Sequence, residues 1–217
     1  MEAKMKVTVV TNGHIENMNI LKSVIENSDY IICADGAAKY LMKLNIYPNI
    51  LVGDLDSINK DAFQWIENGG VNVQQFPVKK DMTDTELAVE FALEQSPSTI
   101  TIVGAIGSRM DHSLGNIMLL YKIHKMGIKA NIINEINDIT ITDSTINVAG
   151  KIGQTISVIP ISGDVKGVTL EGLEYPLTNH DIDMGSSLGI SNRFIKDRAT
   201  ISVKEGTVLV IKVLAEV

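Results

Sequence analysis

Cysteine is nearly missing from this chain of 217 residues, where Cys33 stands alone. A single thiol excludes an intrachain disulfide and fits a reducing, cytoplasmic compartment. Set inside an apolar run, it reads as core packing rather than as a nucleophile. Long hydrophobic runs are missing as well. No segment approaches the roughly 20 apolar residues needed to span a bilayer. The opening MEAKMKVTVVTNG has too short an apolar stretch, and no cleavage site, for a signal peptide. The expectation is a soluble, cytoplasmic protein with no membrane partner. Basic charge is in deficit, with 19 Lys+Arg against 26 Asp+Glu, which argues against a nucleic-acid partner. Two phosphate-binding signatures are also absent. There is no G-x-x-x-x-G-K-[ST], and no G-x-G-x-x-G follows the first strand-like run, so neither a P-loop nor the usual dinucleotide fingerprint is present.

What is present is a change of rhythm partway along the chain. Composition is ordinary for a globular protein, at 45% hydrophobic and 21% charged residues. Over the first 137 residues, short β-branched runs occur at 7–11, 30–34, 50–52, 71–76, 99–103 and 129–133. Helical spacing fills most of the gaps. Leu114, Ile117, Met118 and Tyr121 fall at i, i+3, i+4 and i+7, and Leu87 and Phe91 at i and i+4. Trp65 lies in such a helical segment and reads as core. Alternating strands and helices imply right-handed βαβ units and a parallel sheet covered on both faces. From residue 138 to 217 helical spacing disappears. Short alternating segments take over at 139–142, 155–161, 165–170, 200–203 and 208–213, the last two joined by a tight hairpin turn at Glu205-Gly206. The expected fold is therefore α/β plus all-β. A parallel-sheet nucleotide-binding domain (1–137) precedes a β-sandwich (138–217) small enough to lean on its neighbour or a partner chain.

In open parallel sheets, ligands bind beyond the carboxyl ends of the strands. At those ends the sequence places Asp35, then Asp54 and Asp56 in GDLDS, then Lys79, Lys80, Asp81, Thr83, Asp84 and Glu86, then Gly104, Gly107, Arg109, Asp111 and His112. Each carboxylate alone has an ordinary explanation in turns and caps. Thr83 and Glu86 form an S/T-x-x-E capping box, and Asp84 would then open a helix, where the helix dipole favours it. Six aspartates on one edge are harder to explain in that way. Unit charges 4 Å apart repel by about 4 kcal/mol at the effective dielectric of a protein surface. Cations must offset that repulsion, or the pKa values must rise. Oxygen donors with few histidines and no cysteine cluster point to Mg2+ rather than Zn2+. Such an ion usually completes its shell with water and phosphate oxygens, and Lys80 and Arg109 suit the remaining phosphate charge.

The segments ADGAA, PNILVGDLDSI, FPVKKDMTDTELAVEFA and GAIGSRMDHSLGNIMLL, in that order, closely resemble the thiamine pyrophosphokinase family, and SSLGISNRF resembles the family's thiamine-site segment. The resemblance spans essentially the whole chain. It implies an α/β catalytic domain followed by a thiamine-binding β-sandwich, a homodimer with shared active sites, and Mg2+-dependent transfer of a diphosphate from ATP to the hydroxyethyl group of thiamine, releasing AMP. It also implies that Asp54, Asp56 and Asp84 hold the metal with Asp81 nearby, and that Asp35 faces the reacting groups. Arg109 meets phosphate, and Asp111 sits near metal or acceptor. Lys80, Thr83, His112 and Asn116 are expected on the nucleotide side, Ser191 and Asn192 at thiamine. Where some relatives supply an aromatic near the last strand to stack on thiamine, VLVIKVL here has none. His112 reads either as a general base or as an orienter of its loop. The alternatives are the same chemistry on a pterin alcohol, a D-x-D nucleotide-sugar transferase, and a catalytically dead sensor. The sensor would be expected to have lost acidic positions, all of which are present.

Overall fold

The structure, a computed structural model, describes residues 5–77 and 81–215. The chain divides into two compact units, Met1–Glu135 and Ile136–Val217. In the first, β1 (Lys6–Val10), β2 (Tyr30–Ala34), β3 (Ile50–Gly53), β4 (Asn72–Gln75), β5 (Thr99–Val103) and β6 (Lys129–Ile133) alternate with α1 (Met18–Glu26), α2 (Ala38–Leu44), α3 (Lys60–Asn68), α4 (Asp84–Glu94) and α5 (Met110–Lys125). The strands lie in the order β6-β5-β1-β2-β3-β4, all parallel. From β1 the chain steps outward through β2, β3 and β4, then returns to β5 on the other side of β1. That reversal opens a crevice at the carboxyl ends of β1 and β5.

Both faces of this sheet are covered, so its strands carry apolar side chains on both sides. Val10, Cys33, Leu51 and Val103 join Leu21 of α1, Leu41 of α2 and Ile66 of α3 in one core. On the opposite face α4 packs across β1, β2 and β3, and α5 lies on α4 and β6. The Cys33 thiol is fully buried, and burial pushes its pKa far above the ordinary range, so it is core packing. Trp65 is partly buried and stacks on Tyr47 with centroids 4.3 Å apart.

Helix α5 forms where the spacing predicts it. The stripe Leu114, Ile117, Met118 and Tyr121 is not its buried face. Leu114 and Met118 are half exposed, while Ser113, Asn116, Leu120 and Ile123 are buried. Two polar residues lie in the buried seam because their side chains hold the β5–α5 loop.

The second unit contains β7 (Asn137–Thr142), β8 (Thr145–Ala149), β9 (Thr155–Pro160), β10 (Val165–Glu171), β11 (Leu177–Ile182), β12 (Asn192–Arg193), β13 (Arg198–Ser202) and β14 (Val208–Val213). They form two antiparallel layers, β12-β9-β14-β7 and β11-β10-β13-β8. Ile156, Val158 and Val210 from one layer meet Val168, Leu170 and Ile201 from the other in a single core, which makes a sandwich. Strands β8, β11 and β12 escape the sequence pattern. LTNHDI in β11 has one buried residue, Ile182, so its polar alternation hides the strand. The expected β13–β14 hairpin does not form, because the two strands belong to opposite layers. The backbone of Lys204 and Glu205 bonds Lys166 of β10, and residues 203–207 carry the chain from one layer to the other.

Candidate active site

Three aspartates converge where β2, β3 and α4 meet. One carboxylate oxygen from each of Asp35, Asp54 and Asp84 lies within 4.8 Å of the others. Asp35 opens a single 3-10 turn after β2 and is 1% exposed. Its Oδ2 accepts the Ser57 backbone N–H at 3.0 Å, while Oδ1 is buried without a hydrogen-bond partner. Burial is the main cause of a carboxyl pKa raised to about 6, with the charges of Asp84, Asp54 and Asp56 adding to it against the Ser57 hydrogen bond. Gly53 lets β3 approach this closely, since a Cβ there would stand 2.7 Å from the Asp35 Cβ.

Local backbone at the site is strained. Asp35 has φ +35 and Leu55 φ +69, a region that costs a non-glycine residue roughly 1–3 kcal/mol. Leu55 separates Asp54 from Asp56, and its turn directs the two carboxylates differently. Asp54 accepts the Asp56 N–H at 3.2 Å and joins the cluster of three, while Asp56 is exposed and accepts the Ser57 hydroxyl at 2.9 Å. Half of the expected capping box is seen, while the Glu86 carboxylate accepts from Lys122 at 3.0 Å. Thr83 accepts the Glu86 N–H at 3.1 Å, so Asp84 is the first residue of α4 and sits at its positive end. Asp81 is exposed three residues earlier. Lys80 lies outside the described residues.

A cleft of about 450 Å³ opens over this cluster, lined by the ends of β1, β2 and β5 and the starts of α2, α4 and α5. Arg109 caps α5 and grips Asp111 with two bonds, Nε to Oδ1 at 3.2 Å and a terminal nitrogen to Oδ2 at 2.6 Å. The guanidinium hydrogen bond is the first cause of an Asp111 pKa lowered to about 2. His112 also lines the cleft, at the exposed start of α5. Asn116 is buried one turn further on, and its amide donates to the Ala105 carbonyl at 2.7 Å, tying α5 to the loop.

Sequence reasoning missed the far wall. Asn12, Gly13 and His14, after β1, line the cleft together with Lys39, Tyr40 and Ser57. Gly13 N–H donates to the Gly104 carbonyl at 2.8 Å, and Tyr40 OH donates to the Gly13 carbonyl at 2.8 Å. Only one signal could have pointed there: Lys39 and Tyr40 follow Asp35 by about one helical turn.

In the second unit, Ser191 has φ +58 and its N–H donates to Ser157 Oγ. Asn192 is 2% exposed, and its amide is spent on backbone. Oδ1 accepts the N–H of Tyr175 (3.0 Å) and of Arg193 (2.9 Å), and Nδ2 donates to the Tyr175 carbonyl at 2.7 Å. Asn192 thus fixes the backbone beneath the exposed Tyr175 ring.

A parallel α/β sheet that gathers carboxylates at its strand ends, followed by an antiparallel sandwich, defines a two-unit protein of the α/β plus all-β class. Residues 21–132 match the family model for the catalytic domain of thiamin pyrophosphokinase, and residues 143–208 match its vitamin B1 binding domain. The chain is 35% identical to the thiamine pyrophosphokinase of Bacillus subtilis over 95% of its own length and 97% of the relative's. The crystal structure of a Bacillus subtilis thiamine pyrophosphokinase superposes with a TM-score of 0.87 at 34% identity, covering 97% of this chain and 100% of that one. The thiamin pyrophosphokinase of Geobacillus thermodenitrificans gives 0.84 at 30%, covering 98% and 99%. The chain belongs to the thiamine pyrophosphokinase family and is an enzyme of thiamine diphosphate biosynthesis. No helix among the described residues is long and apolar enough to cross a membrane.

Proposed function

We propose that the protein transfers the terminal diphosphate of ATP to the hydroxyethyl oxygen of thiamine, in a reaction that requires Mg2+. The observation that carries this reading is the Asp35–Asp54–Asp84 cluster, of which Asp35 and Asp84 line the cleft. Three oxygen donors, one of them buried with an oxygen left unpartnered, fit a hard divalent ion. Asp54 and Asp84 would hold it with Asp35, and Asp56 and Asp81 supply further negative charge at its rim. When bound, the ion would neutralise charge developing on the transferred diphosphate.

The chain's own residues account for the remaining parts. The hydroxyl oxygen of thiamine bonds to the β-phosphorus, the bond from that phosphorus to the bridging oxygen breaks, and AMP leaves with the oxygen. The hydroxyl proton passes to a carboxylate. Asp35 and Asp111, the carboxylates beside the reacting groups, are the candidate acceptors. Arg109 turns its planar fork from Asp111 to the phosphates, Asn116 holds the loop that presents it, and Thr83 presents Asp84. His112 orients the same loop. Ser191 and Asn192 shape the thiamine side. Met110, Leu114 and Met118, exposed along α5 beside Arg109 and Asp111, support a homodimer in which a second chain closes the site.

Mass spectrometry of thiamine incubated with ATP, Mg2+ and the protein tests the reaction. Thiamine diphosphate with AMP is the expected pair. Thiamine monophosphate with ADP would mean transfer of a single phosphoryl group and would sink the proposal.

A further inference from the structure

A polyphosphate approaching this cleft meets Asp35 and Asp84 in its lining, with Asp54 clustered beside them, so the other charges of the lining matter. Arg109 must leave its two bonds to Asp111 to reach a phosphate, and His14 pairs with Glu16 at 2.9 Å. Lys39 is different. It stands at the start of α2, four residues after Asp35, and lines the same cleft. Its ammonium is not in an ion pair with any described carboxylate. It lies instead over the ring of Tyr40, 4.8 Å from the centroid, in a contact that holds a cation without neutralising it. Tyr40 is itself buried and anchored through its hydroxyl to the Gly13 carbonyl at the end of β1. The platform is therefore fixed to the rigid sheet, and the cation on it faces the crevice between β1 and β5.

We propose that Lys39 is a further binding residue for the known reaction, donating to the phosphates of the nucleotide, with Tyr40 positioning it. This rests on ATP being the donor. Lys43 provides an internal control. Its ammonium also lies over the Tyr40 ring, 6.0 Å from the centroid, but it does not line the cleft. The same ring thus carries one cation facing the site and one facing solvent, and only the first can reach a phosphate.

Calorimetric titration of ATP with Mg2+ into the full chain separates the cases, with melting curves run alongside. Lys39→Met should weaken ATP binding by about tenfold, the order expected for one charge-assisted contact. The melting temperature should stay within a degree or two of wild type. Lys39→Arg should recover most of the affinity, and Lys43→Met should bind as wild type does. Wild-type affinity in a folded Lys39→Met would overturn the assignment. Equal losses in Lys39→Met and Lys43→Met would overturn it too, because the effect would then come from the stack on Tyr40. Absence of ATP binding by wild type would overturn the donor itself, a result visible before any variant is compared.

Discussion

Asp35 shows how much a single carboxylate can depend on its surroundings. Burial disfavours its ionised form in the folded protein, and the folded pKa of about 6 exceeds the value of about 4 expected for an unfolded chain. The sign follows directly. Below about pH 4 the group is protonated in both states and costs nothing. Between about pH 4 and 6 the unfolded state ionises first, so stability falls as pH rises. Above 6 the penalty is complete. Asp35→Asn should therefore raise the melting temperature of the metal-free protein by a few degrees at pH 7.5 and leave it unchanged at pH 4. It should also abolish the stabilisation conferred by Mg2+ with ATP. A variant that melts no higher than wild type at pH 7.5 would show that the buried carboxylate is not strained. This residue was legible in the sequence as a strand-end aspartate. Its clustering with Asp54 and Asp84, while Asp56 turns outward, was not, because Leu55 adopts a backbone conformation that an alternating pattern does not reveal.

At the scale of elements, the site depends on how closely β1 and β5 approach at their carboxyl ends. A Cβ on Gly13 would stand 2.1 Å from the Gly104 carbonyl oxygen, an atom that cannot move without disturbing the strand. Gly13→Ala should lose more than about 2 kcal/mol of stability in chemical denaturation. Gly115→Ala should act in the opposite direction. Gly115 is an exposed position inside α5 with open space around its Cα, so alanine should add about 0.5–1 kcal/mol through helix propensity. If both variants shift stability the same way, the close approach does not govern the first. Sequence pattern found all six parallel strands because each carries a short β-branched run. It did not find β11, whose side chains are almost all exposed, and it joined β13 to β14 because hairpin chemistry at Glu205-Gly206 is local while the choice of layer is not.

For the whole molecule, the exposed faces decide assembly. Met110, Leu114 and Met118, spaced four apart on α5, are 65%, 55% and 50% exposed. An apolar stripe of this kind is unusual on the surface of a solitary chain. Sedimentation should give twice the mass of one chain, and Leu114→Asp should sediment as a single chain. Wild-type protein running at the mass of one chain would overturn the homodimer. The primary structure by itself determined the two-part architecture, because the periods of apolar residues change from helical to alternating near residue 137, and burial of those residues drives each half. It also determined which acidic residues stand at strand ends, since strands must stop where polar turns begin. Tertiary structure alone decided which of those carboxylates meet, which face of α5 is buried and that Lys39 shares a cleft with them. Those outcomes depend on distances between segments far apart in the chain, set by strand order and close backbone contact, and no local pattern of residues encodes a distance of that kind.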